Sequence, residues 1–151
     1  MSLNLKQQLI TTCENYVEDR INRALAGIKD LDEALKMESK SSAGDKYETG
    51  RAMINLEFDK LLLQLEQYKS LKKTLAFAVQ NQHSGRIGLG SLVKTSAANY
   101  FISIPAGEIL VENEKFYAIG INSPIAQALL GKKEKYTFEF NGNTNKILLI
   151  D

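Results

Sequence analysis

From Leu3 to Met37 the chain holds no proline and a single glycine, and apolar residues return at Ile10, Cys13, Val17, Ile21, Ala24, Ile28, Leu31 and Leu35. Steps of three and four put all eight on one side of an α-helix. A second stripe on the same steps runs through Ile54, Phe58, Leu61, Leu65, Tyr68, Leu71, Leu75 and Ala78. Between them, Glu38-Ser39-Lys40-Ser41-Ser42-Ala43-Gly44-Asp45 is small and polar and reads as a turn. The simplest way to hide both stripes is an antiparallel helical hairpin, a coiled coil in which each arm covers the other. Arms of about 35 residues predict a projection of roughly 50 Å, with the far end the least stable part. A three-layer bundle, or pairing with a second subunit, are the alternatives.

After Asn81-Gln82-His83-Ser84-Gly85 the period changes from 3.6 to 2. Short strands are expected at Ser91–Thr95, Asn99–Ile104, Glu108–Val111 and Lys115–Ile119. Lys135–Phe140 and Lys146–Ile150 flank Asn141-Gly142, a pair suited to the positive φ angles of a tight hairpin, so the last two strands should be antiparallel neighbours. Ser123-Pro124-Ile125-Ala126-Gln127-Ala128-Leu129-Leu130-Gly131 is a complete short helix, with Ser as N-cap, Pro at the first helical position and Gly to end it. The fold class is therefore α+β: a helical hairpin over 1–80, a linker over 81–90, and a small antiparallel β domain with one short helix over 91–151. Gly85-Arg86-Ile87-Gly88-Leu89-Gly90 has the wrong glycine order for a dinucleotide fingerprint and reads as a flexible linker.

Composition narrows the functions available. Lys plus Arg is 19 against 18 for Asp plus Glu, so there is no surplus of cations to neutralise a duplex, and free DNA is not an expected partner. The single cysteine cannot form an internal disulfide, and Cys13 on the apolar seam reads as a buried, inert thiol. One histidine, His83, leaves no Cys-His-His or Ser-His-Asp set, which disfavours acyl-transfer and condensing enzymes. The start Met1–Gln7 lacks the apolar run of a signal peptide, and no stretch approaches the ~20 apolar residues of a membrane span. A cytoplasmic monomer without membrane contact is expected.

Asp45 and Glu48 stand three residues apart where the second helix begins, and two carboxylates so placed can share a divalent cation or polarise a water. The same residues also suit a structural role: Asp45-x-x-Glu48 or Ser42-x-x-Asp45 can be a capping box, and carboxylates favour helix N-termini.

Two stretches resemble the Gre-type transcript-cleavage factors of bacterial RNA polymerase. Asn122-Ser123-Pro124-Ile125-Ala126-Gln127-Ala128-Leu129-Leu130-Gly131-Lys132-Lys133 is similar to the helix of that family's FKBP-like C-terminal domain, and Gly88-x-Gly90-Ser91-x-Val93 to the entry of its first strand. Over 1–80 the likeness is carried by the hairpin layout and by Gly44-Asp45-x-x-Glu48, similar to the family's acidic tip. The resemblance implies a partner of RNA polymerase, with the hairpin in the secondary channel and the C-terminal domain docked at its entrance. It implies that Asp45 and Glu48 help hold a Mg²⁺ shared with the polymerase, so that the chain has no cofactor of its own. They would assist cleavage of backtracked RNA near its 3′ end by the polymerase's own two-metal chemistry rather than act as an independent enzyme. It further implies that Ser123, Pro124 and Ile125 dock on the polymerase. Lys40, Lys46 and Arg51 crowd the acidic tip, where they would neutralise the carboxylates or meet RNA phosphates. A relative that occupies the channel without cleaving stays open. So do two other classes, a prolyl isomerase or chaperone built on the FKBP-like half, and a coiled-coil dimerisation module.

Overall fold

The computed structural model describes residues 2–40, 44–81 and 84–151, with side chains from residue 5 onward except those of 38–40 and 44–47. The elements are α1 (Ser2–Lys40), α2 (Gly44–Gln80), β1 (Leu92–Thr95), β2 (Asn99–Ser103), β3 (Gly107–Val111), β4 (Glu114–Gly120), α3 (Pro124–Leu129), β5 (Thr137–Phe140) and β6 (Asn143–Ile150). They form two compact units, Val17–Ser70 and a second made of Met1–Tyr16 with Leu71–Asp151.

In the first unit α1 and α2 run back along each other. Gly27 faces Leu61, whose Cδ1 would lie only 2.9 Å from a Cβ at position 27. A larger residue there would have to displace that side chain, so the glycine lets the two helices approach. Val17, Ile21, Ala24 and Leu65 are buried, while Ile28, Leu31, Leu35, Ile54, Phe58 and Leu61 are half-buried. This gradient is what a single layer of core gives: only one neighbour is present to cover each stripe. Ion pairs spaced i,i+4, Arg23–Asp19 at 3.0 Å and Lys36–Asp32 at 3.3 Å, decorate the solvent side and contribute a few tenths of a kcal/mol each.

In the second unit the six strands form one sheet in the order β3-β4-β2-β1-β6-β5. The sheet is mixed, which corrects the expectation of a wholly antiparallel domain: β2 and β4 run parallel, with Tyr100 opposite Tyr117 and Ile102 opposite Ile119. The cause is local. β3 and β4 are joined by a tight turn at Glu112 and Asn113, both at positive φ (52° and 66°). Because β3 sits on the outer side of β4, the returning strand is left beside β2 and in the same direction. The stretch 104–113, β3 included, thus serves as the crossover that a parallel pair needs. The last hairpin is as the Asn-Gly pair requires: β5 and β6 are antiparallel, with Asn141 at φ 52° and Gly142 at 79°.

Alternation sends the sheet's side chains to two faces. Val93, Ile102, Phe138, Ile147 and Ile150 pack with Ile87 and with Ala126 and Leu129 of α3. Their neighbours Leu92, Phe101, Ser103 and Phe116 face the other way and are fully buried or nearly so. Cys13 of α1 lies on that second face, its Sγ 3.9 Å from Ser103 Oγ. Leu9, Leu75 and Ala78 are buried in the same unit. Fully burying a leucine or phenylalanine side chain contributes ~1.5–3 kcal/mol. The sheet is therefore a middle layer, covered by α3 on one side and by the start of α1 and the end of α2 on the other.

The stretch before β1 is tied to this core. Gly131 N donates to Ile87 O at 2.8 Å and Ile87 N to Lys132 O at 2.9 Å, while Gly90 N donates to Ile102 O at 2.7 Å. Asn81 Nδ2 donates to Leu89 O at 3.1 Å.

Candidate functional site

α2 begins at Gly44, so its first turns carry positions 45 and 48 on one helical face. Glu48 is exposed. The side chains of Asp45, Lys40 and Lys46 lie outside the described residues, as do Ser41 and Ser42, the latter the first residue of the Ser42-x-x-Asp45 capping box, and His83. Arg51 is exposed one turn further on and has a partner of its own. Among the described residues no three of His, Cys, Asp and Glu converge. Two carboxylates from one helix provide only part of the six-oxygen shell that Mg²⁺ demands.

α3 is built as its sequence dictates. Ser123, at φ −66° and ψ 150°, accepts a hydrogen bond from Ala126 N at 3.4 Å and donates its own hydroxyl to Gly120 O at 2.7 Å. Pro124 opens the helix with its ring exposed, and Gly131 follows the helix end at φ 79°. Ile125 is half-buried against the core cluster. Of the three residues expected to meet a partner, Ser123 and Ile125 are thus already engaged within the domain, and Pro124 presents the free surface. Ser123→Ala should lower stability by ~1 kcal/mol through loss of the cap, whereas Pro124→Ala should shift it by less than ~0.5 kcal/mol. Thermal unfolding of the two variants checks both.

Cys13 has no access to solvent. Burial pushes its thiol up to about 11, with Glu14 adding to the rise and the Ser103 hydroxyl opposing it. A thiolate is the reactive form, so a thiol raised to about 11 carries roughly a hundredth of the ordinary thiolate at pH 8. Modification of native protein by a small disulfide reagent should be at least ~100-fold slower than in denaturant, and its rate should climb with pH until about 11.

One grouping is visible only in three dimensions. Arg86 Nη1 donates to Gly131 O at 3.0 Å, which sets it beside Lys132 and Lys133 although 45 residues separate it from Gly131. The Lys132–Tyr136 run was a signal open to inspection, but nothing near Arg86 in the chain points to it.

No family model matches this chain, and neither a curated protein nor a solved structure matches it.

Proposed function

We propose that this protein is an accessory factor of bacterial RNA polymerase that acts in the cytoplasm, places the connected ends of α1 and α2 in the secondary channel, and stimulates cleavage of backtracked RNA. The observation that carries the reading is the position of Asp45 and Glu48 in the first turns of a 37-residue helix that pairs with one of 39 residues. Long paired helices with a connection of three residues bury little for their length, and a chain that only needed a core would not extend them. A carboxylate pair at their junction reaches a site inside another molecule. A Mg²⁺ held jointly with the polymerase supplies Lewis-acid polarisation for hydrolysis of the phosphodiester. The part of this chain is to bring two carboxylates to that centre and to orient them, while the FKBP-like β unit docks through the exposed face of α3 around Pro124.

The cleft on the sheet does not suit a prolyl isomerase. It is an open groove of about 570 Å³ lined by Lys94, Asn99, Glu114, Lys115, Tyr117 and Leu148. Lys94 and Asn99 both bind the Glu114 carboxylate, at 3.1 and 3.0 Å, so the lining is polar where a proline ring needs an apolar, aromatic concavity. A dimerisation module has one observation in its favour, since Met53, Leu56 and Leu63 of α2 are 66%, 72% and 61% exposed. Light scattering at micromolar concentration separates it from the monomer expected here.

The test is a transcript-cleavage assay on backtracked elongation complexes with Mg²⁺. Shortening of the RNA from its 3′ end establishes cleavage. Binding to the polymerase without shortening makes the protein a non-cleaving regulator of the channel, and absence of binding refutes the assignment.

A further inference from the structure

We propose that Arg86, Lys132, Lys133, Lys135 and Tyr136 form a docking surface for a short single-stranded nucleic acid. The charges of the β-rich half are segregated. Three of its six carboxylates, Glu108, Glu112 and Glu114, belong to the β3–β4 hairpin. There Lys115 pairs with Glu108 at 3.0 Å and Lys94 with Glu114 at 3.1 Å. Four of the remaining five cations gather at the opposite strands, around the segment between α3 and β5.

Backbone geometry holds this group together. Residues 86 and 87 lie against 131 and 132 through the two hydrogen bonds of Ile87 and through the guanidinium of Arg86 on Gly131 O. The chain then turns, with Tyr136 N donating to Lys133 O at 3.3 Å and Lys135 N to Ile147 O at 2.8 Å. Arg86, Lys133 and Lys135 are exposed, and Lys132 is half-buried. Among the described residues none of the four side chains is in an ion pair. The carboxylate within the turn, Glu134, is directed elsewhere: its Oε1 accepts from Ile150 N at 2.9 Å. Glu139 stands three residues past Tyr136, toward the Asn141-Gly142 turn.

One further feature chooses the occupant. Tyr136 is 61% exposed, follows Lys135 directly and is tied by its N to Lys133 O, and an open aromatic ring beside lysines is what stacks an unpaired base while ammonium groups take its flanking phosphates. An acidic polypeptide would satisfy the cations and leave the ring idle. The overall charge of +1 is too small for a long duplex, but a local group of four suits about four phosphates.

Fluorescence anisotropy of the full chain with labelled oligouridylate and oligothymidylate of about eight nucleotides tests this without polymerase, so its failure and that of the cleavage-factor reading are separate. Binding of either strand supports the proposal, and the tighter one identifies the natural ligand. The logarithm of affinity should fall with that of salt at a slope of about −3, and the double variant Lys132→Ala/Lys133→Ala should reduce the slope by about 1.4. Tyr136→Ala should weaken binding roughly tenfold at unchanged slope. Lys133→Gln/Lys135→Gln, which keeps the apolar stems, is the second variant should the first lose its helical circular dichroism. No binding at low salt, equal affinity for a duplex or for polyglutamate, or indifference to Tyr136→Ala would overturn the proposal.

Discussion

Replacing Gly90 with valine should lower the melting temperature by 10–20 °C or prevent folding altogether, an effect of roughly 4 kcal/mol or more. Two costs coincide at this residue. Its φ of +94° is one that a β-branched side chain rarely adopts, which alone costs ~1–3 kcal/mol. A Cβ built there would also collide with the backbone carbonyl oxygen of Ala78, inside any real contact distance. That oxygen cannot move aside cheaply, since Ala78 is buried within α2. Gly90 itself is held by its bond to Ile102 O, so the strain passes into β2. Two residues earlier, Gly88 has nothing within 4 Å of such a Cβ and no positive φ. Gly88→Ala should therefore change stability by less than ~0.5 kcal/mol. Equal effects at the two glycines, read by thermal or urea unfolding, would mean that the close approach to Ala78 is not what position 90 requires.

That contact also marks the limit of what could be read from the chain. The stripes on α1 and α2 were legible because a 3.6-residue period leaves a regular trace: Ile10, Cys13, Val17, Ile21 and Ala24 are all buried. The cap of α3 and the Asn141-Gly142 turn were legible because each depends on a few adjacent residues. The parallel pairing of β2 with β4 left no such trace, since alternation says which face a residue takes and not which strand lies beside it. Gly88-x-Gly90-Ser91 could be noticed as a pattern, yet the reason for the second glycine is a helix carbonyl twelve residues back. Likewise Cys13 could be placed on a seam, but its neighbour Ser103 is 90 residues away. At the candidate site the order is reversed. The two carboxylates could be found in sequence, because their spacing on one helix is local, whereas the further ligands of an ion proposed to be shared with a partner would leave no trace in this chain.

On the proposed role, changing Asp45 and Glu48 together to alanine should reduce stimulated RNA cleavage by about three orders of magnitude while leaving affinity for the polymerase within a few fold. The size of the loss follows from the role: a carboxylate pair that helps hold an ion at the reacting phosphate stabilises the transition state by several kcal/mol, and ~4 kcal/mol is about a thousandfold in rate. The preserved affinity follows from the architecture, because the surface proposed to dock lies on α3, in a different unit from the start of α2. A competing role for the same residues makes a different forecast. Carboxylates in the first turn of a helix favour it by ~0.3–1 kcal/mol each through the dipole, and more as caps. If that were their whole function, the double variant would lose helical circular dichroism and melt earlier, and binding would weaken in step with cleavage. The paired variant Asp45→Asn/Glu48→Gln sharpens the distinction. Asparagine still caps a helix N-terminus, but neither amide brings the negative charge that holds a divalent cation. Cleavage lost in both pairs, with melting temperature and polymerase binding kept in the amide pair, assigns the carboxylates to the reaction; cleavage retained in the amide pair assigns them to the helix.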